Sequence, residues 1–116
     1  MKQKIVSWLE EAFSFPVFLQ GSMSQEEEYP QSFFTFWNFT SQDKYYDNIP
    51  TGKIYGFWIY FYTSDPGVME RVTKETEQLF RSHGVIIGEN WTDVKSDTET
   101  HQGEMMEIYI TENIGG

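Results

Sequence analysis

No cysteine occurs among the 116 residues of the chain. That absence excludes disulfide staples, thiolate metal sites and cysteine nucleophiles. Basic residues are scarce: 8 Lys and Arg stand against 18 Asp and Glu, for a net charge of −10. Proteins grip phosphate backbones with Lys and Arg that displace counterions. With no basic run or stripe present, tight nucleic-acid binding is not expected. No apolar run approaches the roughly 20 residues that a membrane helix needs. The opening MKQKIVSWLEEAF is interrupted by Ser7, Glu10 and Glu11 and lacks the apolar centre of a signal peptide. These absences describe a soluble, intracellular protein. There is no internal repeat or low-complexity linker, and the length suits one domain over 1–116.

Aromatic residues, by contrast, are abundant at 18%, and two runs hold eleven of them. Lys53 to Thr63 reads KIYGFWIYFYT and Ser32 to Thr40 reads SFFTFWNFT. β-Branched and aromatic residues suit a pleated, half-buried surface, so both runs predict strands. Side chains alternate between the faces of a sheet. In the later run Tyr55, Phe57, Ile59 and Phe61 share one face, and Ile54, Trp58, Tyr60 and Tyr62 share the other. In the earlier run Phe33, Thr35, Trp37 and Phe39 oppose Phe34, Phe36 and Asn38. A strand that is apolar on both faces needs two covers. The chain supplies one cover, and a neighbouring subunit is expected to supply part of the second.

The remaining elements follow from periodicity and punctuation. Residues 2–13 predict an amphipathic helix through Ile5, Leu9, Ala12 and Phe13, ended by Pro16. Its Lys residues near the start and Glu residues near the end oppose the helix dipole, so packing must hold it. Pro16 to Leu19 predicts a short strand. Thr63-Ser64-Asp65-Pro66-Gly67 stops the second aromatic strand and starts a helix over Val68–His83, with Gly84 as its C-cap. Val85 to Ile87, Trp91 to Lys95 and Gly103 to Ile110 predict the closing strands, and Thr111 to Gly116 a loose tail. Gly52, Gly56 and Gly67 read as scattered turn or packing glycines. The fold class is α+β, two helices on one mostly antiparallel sheet, in the order α-β-β-β-α-β-β.

Candidate chemistry is thin. Asp93, Asp97, Glu99, His101 and Glu104 include alternate residues that would share a face, and a histidine with carboxylates suits a divalent metal. The plainer reading is a polar hairpin turn. Glu26, Glu27 and Glu28 read either as a site for a cation or basic partner or as a solvated loop. His83 is accounted for by its place at a helix C-terminus. No nucleophile elbow or phosphate cradle occurs, so no catalytic residue, metal ligand or cofactor is expected. Ser41 to Gly52 is long for a hairpin connection. Its Tyr45 and Tyr46 either mark a contact loop or belong to strands that simply extend further and pack these rings together.

The order of helix, aromatic hairpin, helix and closing strands in a short acidic chain resembles the small tail-completion proteins of long-tailed phages and prophages. The closer resemblance is to tail terminator or head–tail joining proteins of prophages in Gram-positive hosts. It is carried by KQKIVSWLEEAF, FTFWNFTSQDKYYDN, FWIYFYTSDPGVMERV and VKSDTETHQGEMMEIYI. The resemblance implies a structural, non-catalytic homo-oligomer, commonly a hexameric ring. Such a ring caps the tail tube and docks other tail or connector proteins. It implies assembly in the bacterial cytoplasm, then residence in the virion, with an acidic lumen along which DNA slides. Tyr45, Tyr46, Trp58, Tyr60 and Tyr62 are the expected contact residues, with packing inside the subunit as the alternative. Two other classes remain open. One is an acidic monomeric inhibitor, an immunity protein or DNA mimic, that binds a basic partner. The other is a metal enzyme built on Asp97, Glu99 and His101.

Overall fold

The computed structural model describes residues 2–13, 15–19, 31–46, 49–94 and 100–113. The elements are α1 (Lys2–Phe13), β1 (Val17–Leu19), β2 (Ser32–Tyr46), β3 (Ile49–Thr63), α2 (Pro66–Ser82), β4 (Ile86–Val94) and β5 (Gln102–Asn113). The strands form one sheet in the order β1-β2-β3-β5-β4. All pairs are antiparallel except β1 with β2. Two helices and a mostly antiparallel sheet make this an α+β fold in the predicted element order.

The aromatic run in β3 lies at the centre of that sheet. Register fixes its faces: Phe34 pairs with Phe61 and Phe36 with Ile59, while Phe33 pairs with Tyr62 and Trp37 with Trp58. Phe34, Phe36, Phe57, Ile59, Phe61, Met106 and Ile108 are buried in one cluster with Ile5, Leu9, Met69, Val72 and Phe80 of the helices. Both helices therefore cover the same face. Phe34 and Phe61 lie 4.7 Å apart between ring centroids, and Phe15 closes over Phe61 at 5.9 Å.

Local chemistry sets the helix ends. Asp65 caps α2 by accepting a hydrogen bond from the Gly67 amide at 2.9 Å. Pro66 opens the first turn, where its missing N–H is not needed. Gly84 has φ of 76°, a left-handed conformation that glycine adopts without a Cβ penalty. Trp8 of α1 stacks on His83 at 4.2 Å. The indole of Trp91 donates to the Thr73 carbonyl at 2.9 Å and ties β4 to α2.

The structure resolves one alternative and revises two element bounds. Of the two readings of residues 41–52, strand extension holds: β2 and β3 continue, with Lys44 opposite Gly52 and Tyr46 opposite Ile49. Pro50 lies opposite Tyr45, next to the register shift between Lys44 and Tyr45, and beyond the end of β5 pairing at Gly52; edges and bulges are where a strand accommodates proline. Thr111–Asn113 belongs to β5, opposite Ile54, Lys53 and Gly52, rather than to a loose tail. Finally, β4 is one strand over Ile86–Val94, with register shifts between Ile87 and Glu89 and between Glu89 and Thr92.

The helix-side cluster is where stability concentrates. Phe61→Ala should cost about 3–5 kcal/mol by chemical denaturation, because a fully buried ring leaves a cavity between packed neighbours. A loss below about 1 kcal/mol would contradict this assignment of the core.

Candidate functional site

Among the described residues, both helices lie on that one face of the sheet and neither covers the opposite face. Its described side chains include Phe33, Trp37 and Phe39 from β2 and Trp58, Tyr60 and Tyr62 from β3. Met105, Glu107 and Tyr109 join them from β5. Phe33 is buried, Trp58, Tyr60 and Tyr62 are half-buried, and Trp37 remains 45% exposed. Ile86, opposite Tyr109 in β4, is 56% exposed. The exposed large hydrophobic residues thus belong to this face.

The rings lie over one another. Phe33 stacks on Tyr62 at 5.3 Å, Tyr60 lies parallel to Tyr62 at 6.2 Å, and Phe39 stacks on Trp58 at 4.8 Å. A bulge makes the last contact possible. The ladder shifts between Asn38 and Thr40, and the Asn38 amide nitrogen donates to the carbonyls of Thr40 and Gly56, both at 2.9 Å. Phe39 then lies over Gly56, where a Cβ would sit 2.6 Å from the ring. Gly56 is therefore a specific gap for Phe39. The same device recurs on β4 and β5, with Tyr109 over Gly88 and Tyr62 over Gly103.

Charge enters the face as carboxylate. Glu107 accepts a long hydrogen bond, 3.4 Å, from the Trp58 indole. Tyr109 has its phenol pushed above the usual range by burial, then by the Glu107 carboxylate. Register sets Glu89 opposite Glu107 on this face, and Asp93 opposite Glu104 on the helix side. Burial raises the Glu104 carboxyl above its ordinary value, and the charge and hydrogen bonding of Asp93 raise it further.

The structure brings Trp58, Tyr60 and Tyr62 together on the open face, as their alternation predicts. The backbone of Tyr45 and Tyr46 lies in β2 near the hairpin end, while the expected contact role of their side chains falls outside the described residues. Glu26 to Glu28, Asp97 and Glu99 also lie outside them. His101 stands beside Phe33 at 5.9 Å between ring centroids, with Nδ1 3.0 Å from the Thr100 hydroxyl. Among the described residues, no group of three or more His, Asp or Glu side chains could hold a metal ion. Among the described residues, no helix is long and apolar enough to cross a membrane.

The sequence placed Phe39 on one face with Phe33 and Trp37, but not the bulge that aims it, the position of Glu89 or the rings that fill the glycine gaps. The available signals were an asparagine inside an aromatic strand and isolated glycines in strand sequence, which mark bulges or close approach. Comparison of the chain with protein-family models and with curated proteins finds no match.

The Asp93–Glu104 pair gives a pH dependence. A carboxyl with a raised folded-state pKa binds its proton more readily folded than unfolded, so stability falls as pH rises above the ordinary value of 4.5. Glu104→Gln should remove about 0.5 kcal/mol of cross-strand repulsion at pH 7, raising Tm by about 2–3 °C. It should also flatten the decline in Tm between mildly acidic and neutral pH. A lower Tm at pH 7 would contradict the sign.

Proposed function

We propose that this chain is a structural, non-catalytic assembly subunit of the tail terminator or head–tail joining type from a phage or prophage. It assembles into a ring in the bacterial cytoplasm and then resides in the virion. The observation that carries the reading is a sheet that is apolar on both faces, with the described helices over only one. Contiguous exposed apolar surface on a small protein marks an interaction site. Here that surface presents Trp58, Tyr60 and Tyr62, with Trp37 as the most exposed ring. An exposed Trp37 among half-buried Trp and Tyr rings suits the composition of protein interfaces, which favour aromatic residues at their centres. Tyr45 and Tyr46 extend the proposed contact along the hairpin toward sister subunits or neighbouring tail and connector proteins. A surface of net charge −10 suits a ring whose lumen passes DNA without gripping it.

The paired carboxylates on β4 and β5 favour one second reading, an acidic monomeric inhibitor that binds a basic protein. The two differ in stoichiometry. Light scattering on a sizing column, across concentration and salt, should give a closed oligomer near six subunits. A monomer at every concentration would contradict the ring and transfer support to the inhibitor.

A further inference from the structure

Two features of this chain act against its own fold. On the open face Glu89 stands directly opposite Glu107, and like charges in a cross-strand pair destabilise a sheet. On the other side, α1 begins with Lys2 and has no acidic residue in its first turn. A cation there opposes the helix dipole. Lys2 precedes Ile5 and Val6 by three and four residues, so it neighbours them on the helix surface while remaining exposed. It lines two neighbouring clefts of about 330 and 530 Å³, both of which also include Gln3. Val6, Ser7 and Phe36 complete the larger, and Asn38, Tyr55 and Phe57 the smaller. The ion pairs among the described residues are Arg71–Glu75 and Arg81–Glu77, which leaves Lys2 and Glu89 without ionic partners among those residues.

Each local cost has its complement on the opposite side of the sheet. One surface is apolar with a protruding tryptophan and two carboxylates. The other is an apolar groove with a cation at its mouth. We propose that the open face of one copy docks on the α1-side groove of the next, with Glu89 and Glu107 facing Lys2 and Trp37 entering the groove. This inference rests on the ring-forming reading above and names the two surfaces that meet. They lie on opposite faces of one sheet, so the contact is heterologous and passes from copy to copy, closing when the rotation per step completes a circle. Pairing two open faces would instead gather the Glu89 and Glu107 carboxylates of both copies in one apolar interface, and like-charge juxtaposition suppresses such contacts.

Charge exchange separates this contact from fold stability. Glu89→Lys places a cation opposite Glu107, and Lys2→Glu suits a helix N-terminus. In dilute solution, below the association range, each variant should melt at or above the wild type. At higher concentration each should weaken association at least tenfold by light scattering. The Glu89→Lys/Glu107→Gln/Lys2→Glu triple variant, which leaves one cation on the open face and one carboxylate at the groove, should recover the wild-type mass. Single variants that keep the wild-type mass, or a triple variant that stays dissociated, would overturn the groove contact while the ring reading stands. A wild type that is monomeric at every concentration would overturn both. An arginine-rich peptide that quenches tryptophan fluorescence and dissociates the wild-type oligomer, with Lys2→Glu leaving the mass unchanged, would assign the open face to a basic partner and overturn the proposal.

Discussion

The structure depends on a central strand that is apolar on both sides. Phe57, Ile59 and Phe61 of β3 are buried beneath the helices, and Trp58, Tyr60 and Tyr62 point the other way. Burying an aromatic side chain gains on the order of 1.5–3 kcal/mol, so the helix-side cluster explains why the chain folds. The same alternation obliges the chain to display a second aromatic surface, because a one-residue slip would only exchange the two faces. Two helices of 12 and 17 residues cover one face of this sheet. The second aromatic face is thus a consequence of the same residues that hold the fold together.

That face is built rather than left over. The bulge at Phe39, clamped by the Asn38 side chain, directs a ring onto Trp58, and Gly56 supplies the space beneath it. Bulges commonly re-aim a side chain near functional surfaces. Gly88 and Gly103 create comparable spaces under Tyr109 and Tyr62. The rings are consequently held in fixed stacks, which lowers the side-chain entropy lost when a partner covers them. Glu107, hydrogen-bonded to Trp58, gives this otherwise apolar surface a charged group of defined position.

Much of this was legible in the residues. Period-two alternation placed Phe57 and Phe61 on one face of β3 and Trp58, Tyr60 and Tyr62 on the other, and separated Phe34 and Phe36 from Phe33 and Trp37 in β2; register then joins Phe34 to Phe61. The Asp65-Pro66 start and Gly84 end of α2 followed from turn and cap chemistry. The parts that were not legible depend on pairing between distant segments. Turn residues in Ser41–Gly52 left a loop and longer strands both open, and pairing of β3 with β5 extends the sheet through Gly52 and Asn113. Likewise, the opposition of Glu89 and Glu107 appears only once the β4–β5 register is fixed. Gly56 could be read as a possible close approach, but the ring that fills its space could not be named before the bulge was known.

Radical footprinting of the aromatic side chains, comparing dilute with concentrated protein, tests the central claim most directly: that the open face is covered in the working assembly. The account predicts that Trp37, Trp58 and Tyr60 gain protection on concentration, with Trp37 changing most because it is the most exposed of them alone. Unchanged reactivity of these three rings across a range in which the mass increases would place the contact elsewhere and contradict the account.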